Sequence, residues 1–377
     1  MPRGHRPVPR PVFAVLGSLL AVALAAGATA QEAPPPTHEP PPLAAPVIVP
    51  PDEDEAPPGP RSIHAFSGAV ATFEERVLEI VNQERLDNGG LPPLKGQAQL
   101  TSAAEGHSFN MADRNFFSHC DPDNLPTQTL GLRLAAAGYS FNVAGENIAG
   151  GYTSPESVMA GWMTSQGHRD NILSSSYREI GIGYVSQPGD QANVRVDLNS
   201  DCATDFIDGP YVHYWTQDFG RRNSVYPVVI EREAHDTLCA AVDLYVYAPV
   251  GADEMRFSND ESTWSAWMPY APDATWTLAG SAGSSTTVFA EVRNGATFAA
   301  QDDIYLASGF PAPDDLDLDF EFVNNPETYV ACDTITAEEF TVDGSGDVTF
   351  DAGQRIILRD GFAVEAGGEF TARVGSP

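Results

Sequence analysis

Basic residues are scarce in this sequence. The 377 residues include 52 Asp and Glu but only 20 Lys and Arg, with Lys95 as the single lysine, and the formal net charge is −32 at pH 7. Proteins that bind nucleic acid need a basic surface that releases counterions from phosphates, and proteins that dock on anionic lipid also need a positively charged surface. We therefore expect no nucleic-acid partner and no attachment to anionic lipid by charge alone.

Cysteine is also rare. The sequence has four cysteines, and none of them lies in a C-x-x-C pair, which removes the usual sequence signals for redox and zinc-ribbon sites. An even, small number of cysteines fits an oxidising compartment. We predict the disulfides Cys120–Cys202 and Cys239–Cys332, because each pair then stays within one half of the chain.

Long apolar runs are absent beyond the N-terminus. Residues 12–26 are apolar, but a membrane-spanning helix takes about 20 such residues. Arginines precede this run, and residues 28–30 read Ala-Thr-Ala, which suits cleavage by a signal peptidase. We expect residues 1–30 to be a signal peptide and the mature protein to be secreted, periplasmic or on the cell surface, with no transmembrane span. The alternative is an uncleaved N-terminal anchor.

The composition changes along the chain and indicates separate domains. Residues 31–66 are rich in proline and acid, so they cannot bury enough surface to fold and are expected to be a semi-rigid linker. Residues 67–228 begin with helical periodicity and continue with alternating strand patterns, which is typical of an α+β domain.

The C-terminal part carries β patterns. Short alternating segments separated by turn residues predict a β-sandwich over residues 229–310. An Asp- and Pro-rich stretch at 311–328 is expected to be a second linker. In residues 329–377 the turn at 352–356 recurs at 366–370, which predicts a small stacked β-hairpin repeat, because such units bury their apolar faces only by stacking.

Two histidines and one glutamate are the candidate chemical residues. His119 and His168 are expected at helix ends, and Glu146 lies in a short Gly-Glu-Asn turn. Neutral imidazoles suit zinc or copper, and a nearby carboxylate binds metal or moves protons. The structural alternative is that these side chains only brace loops, and Asn147 is expected to satisfy backbone groups in its turn.

Signatures of a nucleophile are missing. The sequence has no G-x-S-x-G elbow and no H-E-x-x-H helix. Cys120 follows His119 directly, but in an exported protein it is expected in a disulfide. Hydrolysis by a metal-bound water, with Glu146 as the base, is the one enzymatic alternative.

The motifs of this region resemble those of the bacterial branch of the CAP superfamily, which includes cysteine-rich secretory proteins, venom antigens and pathogenesis-related proteins. The similar segments are Phe-Ser-His at 117–119, Gly-Glu-Asn-Ile at 145–148, Trp-Met-x-Ser at 162–165 and Gly-His-Arg-x-Asn-Ile-Leu at 167–173. The resemblance implies an α-β-α sandwich with a shallow cleft.

In that family the cleft is lined by two histidines and acidic residues that can hold a divalent ion, often Zn²⁺. The matching positions are His119, Glu146 and His168, with His119 and His168 as the implied metal ligands. Many eukaryotic members have a second glutamate where this chain has Ser165, so the implied ligand set is incomplete. The family's reported ligands also include sterols and lipids.

The C-terminal segments resemble two exported bacterial modules. Residues 229–310 are similar to immunoglobulin-like modules, and residues 329–377 are similar to a three-coathanger-stack repeat. Both imply spacing or attachment, for example to a surface glycan or envelope component. Trp264, Trp267 and Trp276 either form a sugar-binding face or serve as packing in the sandwich.

Together these patterns predict an α+β CAP sandwich followed by an all-β sandwich and a small stacked repeat. The favoured function is a secreted or surface protein whose cleft binds a small apolar ligand, a peptide or a divalent metal, while the β modules present or anchor it. The alternatives are a metal-dependent hydrolase that uses the same cleft and an adhesin whose cleft is vestigial.

Overall fold

The structure is a computed structural model that describes residues 12–16 and 71–374. The described chain forms two compact units, which we call unit 1 (12–16 and 71–233) and unit 2 (234–374). The expected linker at 31–66 and most of the expected signal peptide lie outside the described residues.

The helices of unit 1 begin at clear capping signals. Thr72 and Glu75 bond each other's backbone N–H groups in a capping box before the first helix. Ser154 caps the fourth helix through its side chain, which accepts from the Ser157 N–H. The helices are α1 (Phe73–Asp87), α2 (Ala98–Asp113), α3 (Leu130–Ala136), α4 (Pro155–Thr164) and α5 (Gln166–Ile172). Two 3₁₀ segments cover Leu125–Thr127 and Glu231–Glu233.

Apart from Val228–Ile230, the strands of unit 1 form a central sheet and a small side sheet. The strands are β1 (Val12–Leu16), β2 (Lys95–Gly96), β3 (Phe116–Phe117), β4 (Val143–Gly150), β5 (Glu179–Ser186), β6 (Val194–Val196), β7 (Phe206–Asp208), β8 (His213–Arg221) and β9 (Val228–Ile230). The central sheet has the order β1-β4-β8-β5-β2, and its pairs are antiparallel except β2–β5. The side sheet has the order β3-β6-β7.

Helices cover both faces of the central sheet. On one face, Val81 of α1 and Trp162 of α4 pack with Ile182 and Trp215 of the sheet. On the other face, α2 and α3 pack against β4 through a cluster that includes Leu100, Leu134 and Ala144. Unit 1 is therefore an α-β-α sandwich, as the resemblance to the CAP superfamily implied.

Two glycines let α2 lie directly on the sheet. A Cβ on Gly181 would lie 2.0 Å from the Thr101 backbone nitrogen, and a Cβ on Gly183 would lie 2.3 Å from the backbone of Ala104. Ile182, between them, faces the opposite side of the strand and is buried in the core there. The Gly-Ile-Gly alternation thus gives β5 one bare face and one apolar face.

Unit 2 begins with a β-sandwich. Its strands are β10 (Asp236–Thr237), β11 (Ala241–Val246), β12 (Glu254–Ser258), β13 (Met268–Pro269), β14 (Asp273–Thr277), β15 (Ser284–Asn294) and β16 (Ala296–Leu306). One sheet has the order β10-β16-β15-β12-β13, and β11 pairs with β14 in the other. Phe257 and Trp276 meet across the two sheets, with ring centroids 5.6 Å apart.

The other two tryptophans of the sandwich stack on arginines. The Arg256 guanidinium carbon lies 4.6 Å from the ring centroids of both Trp264 and Trp267, and that of Arg293 lies 4.2 Å from Trp267. Arg256 also donates to Glu291. Cation–π contacts of this kind stabilise a sheet surface, which supports the packing interpretation of these rings.

Unit 2 ends in three stacked coils of short strands. The coils are β17 (Asp315–Asp319), β18 (Phe322–Val323) and β19 (Pro326–Ala331), then β20 (Thr334–Glu338), β21 (Thr341–Val342) and β22 (Asp347–Ala352), then β23 (Arg355–Leu358), β24 (Ala363–Val364) and β25 (Glu369–Val374). Strands of successive coils pair in parallel. Phenylalanines 340, 350, 362 and 370 stack inside the coils.

Two expectations about this region were wrong. The stacked units are parallel coils rather than hairpins, because each strand pairs with its counterpart one coil away. The proposed linker at 311–328 contains β17 and β18 of the first coil. Its acidic residues are exposed on β17 and alternate with Leu316 and Leu318, which face inward.

Both predicted disulfides are present. Cys120 is bonded to Cys202 in unit 1, and Cys239 is bonded to Cys332 in unit 2. Among the described residues no helix is long and apolar enough to cross a membrane.

The close approach of α2 to β5 gives a stability prediction. Gly183→Ala should destabilise unit 1 by about 3 kcal/mol or more, because the helix backbone cannot yield to the new methyl group. Gly189→Ala is the matched control, because nothing lies within 4 Å of its Cβ position. Urea unfolding followed by circular dichroism measures both, and equal midpoints would contradict the proposed contact.

Candidate functional site

The centre of the site is a buried ion pair on β4. Glu146 accepts a 2.7 Å hydrogen bond from Nδ1 of His119 and a second, very short one from the Arg133 guanidinium. Arg133, which lies on α3, also donates to the backbone carbonyl of His119 at 3.0 Å. The side chains of all three residues are at most 3% exposed. Strand, helix and loop are thus joined through one carboxylate.

Charge keeps Glu146 ionised. Burial alone would raise the pKa of this carboxyl, but the charge of Arg133, the electrostatic effect of His107 and the hydrogen bond from His119 outweigh burial. The pKa of Glu146 is therefore held well below its usual range. Because the carboxylate can only accept, the proton of the Glu146–His119 bond belongs to Nδ1 of His119.

A second carboxyl lies beside this ion pair. Asp218 of β8 is directly opposite Glu146 in the antiparallel register and is fully buried. Burial and the charge of Glu146 raise its pKa well above the ordinary value. Two neighbouring buried carboxyls cannot both ionise cheaply. Asp218 therefore carries the proton while Glu146 carries the charge that Arg133 balances.

His107 of α2 completes the polar cluster. Its Nε2 donates to the carbonyl oxygen of Ser118 at 2.9 Å, because that oxygen can only accept. Burial, helped by the nearby Arg133 charge, lowers the pKa of His107 to about 3. The ring is therefore neutral at physiological pH, and it fixes the backbone just before His119.

The opposite face of β4 holds an amide network. Successive strand residues point to opposite faces, so Asn147 lies across the sheet from Glu146. Asn147 donates to the side chain of Gln217 at 2.9 Å and to the backbone carbonyl of His168 at 3.2 Å. Asn171 donates to Asn147 at 2.9 Å. These bonds attach α5 to the strand.

The structure brings some of the predicted residues together and adds others. His119 and Glu146 are in direct contact, whereas the backbone carbonyl of His168 accepts a hydrogen bond from Asn147 on the opposite face of β4. The sequence analysis did not identify Arg133, Asp218 or His107 as part of this site. Asp218 alone left a signal: it is a carboxyl in a predicted strand that also contains Tyr214, Trp215 and Phe219.

The fit of the site to a metal is partial. The Glu146 bond engages Nδ1 of His119, so a metal would have to bind at Nε2, the arrangement that metal-binding histidines use. Yet residues 71–374 contain no group of three or more His, Cys, Asp or Glu side chains placed to hold a metal ion. Zinc binding by His119 and His168 therefore stays a prediction, and it needs water to complete the coordination.

Comparison with known proteins agrees with this architecture. Residues 78–219 match the family model "CAP: Cysteine-rich secretory protein family". "Uncharacterized protein YkwD" of Bacillus subtilis (strain 168) is 40% identical over 117 residues, which are 31% of this chain and 44% of that protein. "Uncharacterized membrane protein YlbC" of the same strain is 35% identical over 112 residues, 30% of this chain and 31% of that protein.

The chain thus spans less than half the length of these relatives. Among solved structures, an extracellular protein containing a SCP domain from Bacillus anthracis str. Ames is 28% identical and covers 41% of this chain and 45% of that chain, with a TM-score of 0.30. The assignment depends on the family match and the sequence relatives. Residues 78–219 of this chain form a CAP domain of the bacterial type.

Proposed function

We propose that this is an exported bacterial protein whose CAP domain binds a ligand at the candidate site without turning it over. Unit 2 presents or attaches that domain. Two features support export. The first is the signal-peptide pattern of residues 1–30, and the second is the pair of disulfides, which join cysteines 82 and 93 residues apart in sequence.

The burial, hydrogen bonds and low pKa of Glu146 are the observations that favour binding over hydrolysis. A general base must reach its proton and should have a pKa near the working pH. Glu146 is 1% exposed, its two oxygens are engaged by His119 and Arg133, and its pKa is depressed. It therefore suits a structural brace and not the base of a metal-dependent hydrolase.

The charge balance of the site favours a neutral ligand. Glu146 is balanced by Arg133, Asp218 carries a proton, and His107 is neutral. A net-neutral site offers no local charge to pair with an ionic ligand, and the acidic surface of the protein repels anions at long range. A small apolar molecule, such as a sterol or lipid, or an uncharged peptide segment is the ligand class that this supports.

The first test separates binding from hydrolysis. The chain beginning at Gln31 should bind a fluorescent sterol or fatty-acid probe saturably and show no turnover of peptide or ester substrates above background. Glu146→Gln should lower the free energy of unfolding by about 3–5 kcal/mol, because it leaves the Arg133 charge buried without its partner. Urea unfolding measures this.

Glu105→Gln is the matched control, since Glu105 is exposed on α2, and it should change stability by less than about 0.5 kcal/mol. Hydrolysis that is lost in Glu146→Gln at unchanged stability would indicate the hydrolase instead. Surface attachment through unit 2, with no probe bound by unit 1, would favour the adhesin.

The buried His107 predicts a pH dependence of stability. Its folded-state pKa is about 3, below the ordinary value of 6.5, so the unfolded chain binds a proton first as pH falls. Its contribution is complete above about pH 6.5 and is lost at about 1.4 kcal/mol per unit below that. His107→Gln keeps a donor for Ser118 and should remove about 1.5 kcal/mol of the loss between about pH 6.5 and 5. Parallel slopes for both proteins would contradict this.

Metal binding is the second candidate function, favoured by the orientation of His119. With excess zinc, the chain should take up about one ion, lose it on dialysis against a chelator, and take up none in His119→Ala/His168→Ala, because a site with few protein ligands holds zinc weakly. His213→Ala/His235→Ala is the matched control. Elemental analysis measures the zinc bound per chain, and equal zinc in both double variants would exclude the site.

A further inference from the structure

The outer edge of β4 is covered by a segment from the far N-terminus. β1, with the sequence Val-Phe-Ala-Val-Leu, pairs antiparallel with β4 from Val12 opposite Gly150 to Leu16 opposite Glu146. We propose that this edge is an acceptor for an extended apolar peptide, which adds as a strand beside Glu146, and that β1 fills it until residues 1–30 are removed. This deepens the proposed function and rests on the export that it assumes.

The register shows which backbone groups of β4 face the acceptor edge. Gly151 donates to His213 at 2.9 Å, which continues the β4–β8 ladder. Bonded pairs alternate along an antiparallel ladder, so the odd-numbered residues of β4 bond to β8. The even-numbered residues, Glu146, Ile148 and Gly150, therefore direct their N–H and C=O groups towards β1.

The acceptor edge is held rigid by side chains from two helices. Asn171 of α5 donates to the Glu146 carbonyl at 3.2 Å, and the Trp162 indole of α4 donates to the Ile148 carbonyl at 3.3 Å. These bonds fix the direction of both carbonyls whether or not a strand lies beside them. α5, which contains His168, also borders β1. The edge thus belongs to the candidate site.

Backbone chemistry distinguishes a peptide from a lipid here. Buried N–H groups need an acceptor, and an extended peptide supplies alternating acceptors and donors at the spacing of the strand. A sterol or fatty acid supplies one polar group at most. Removal of β1 would leave the N–H groups of Glu146, Ile148 and Gly150 without their ladder partners, so the edge favours an incoming strand.

The test uses the peptide of residues 10–18 with a fluorescent label, and polarisation as the readout. It should bind saturably to the chain beginning at Gln31, which keeps every described residue from 71 to 374. Binding to the full chain should be at least about tenfold weaker, because the tethered β1 competes at high effective concentration.

Two methylated peptides supply the matched control. Ala14 lies opposite Ile148 and should direct its N–H to β4, whereas Val15 lies opposite Asn147 and should direct its N–H away. N-methylation at Ala14 should weaken binding roughly tenfold or more, and N-methylation at Val15 should leave it nearly unchanged. Both peptides have the same composition and net charge.

Three outcomes would each overturn the proposed acceptor edge. They are no binding of the peptide, an equal loss of affinity for the two methylated peptides, and equal affinity for the full chain and the chain from Gln31. The sterol and fatty-acid probes separate the two proposals. If those probes bind while the peptide does not, the inference fails and the proposed function stands. If neither binds, both fail.

Discussion

The ion pair between Arg133 and Glu146 is the interaction on which the CAP domain's site depends. A charge removed from water must be paired, and each partner here is nearly inaccessible to solvent. The pair forms only if α3, β4 and the loop at His119 are all in place, because Arg133 also holds the His119 carbonyl. Burial and the charge of Glu146 raise the pKa of Asp218, and burial together with the charge of Arg133 lowers the pKa of His107. The ion pair and the burial of its neighbours therefore act together on both groups.

The Gly-Glu-Asn motif has a separate physical reason at each position. A Cβ on Gly145 would lie 2.2 Å from the Tyr177 hydroxyl, so only glycine fits. Glu146 points to the α2 and α3 face and forms the ion pair. Asn147 points to the other face and attaches α5 through His168 and Asn171. Because successive strand residues face opposite sides, Glu146 and Asn147 bind different neighbours on the two faces of β4, while Gly145 leaves room for Tyr177.

The disulfide pairs were predictable, because each followed from proximity within one half of the sequence. The Gly-Glu-Asn segment was not, because the sequence predicted a turn and residues 145–147 lie inside strand β4. The partners of Glu146 were not predictable, because Arg133 sits in an ordinary helical pattern and meets Glu146 only through packing. Asp218 depends on a register that links strands far apart in sequence.

The C-terminal coils also have a feature that local sequence similarity does not reveal, namely which turns stack on one another. The recurring turns at 352–356 and 366–370 are different corners of the stack, not one corner in successive coils. The true counterpart of the turn at Gly367 is the turn at Gly344, whose carbonyl oxygen lies 2.8 Å from the Gly367 Cβ position. Local similarity found turns of the right kind, but only pairing identified which of them stack.

The scarcity of cations connects the composition to the site. Several arginines of this strongly acidic protein form ion pairs with carboxylates. The pairs are Arg133 with Glu146, Arg222 with Glu179, Arg256 with Glu291 and Arg293 with Glu254. Their charges are compensated where they stand, so they provide no basic patch for an anionic ligand. The net negative charge that remains repels anions at long range. The proposed addition of a peptide strand at the edge of β4 depends on backbone hydrogen bonds, which this charge distribution does not oppose.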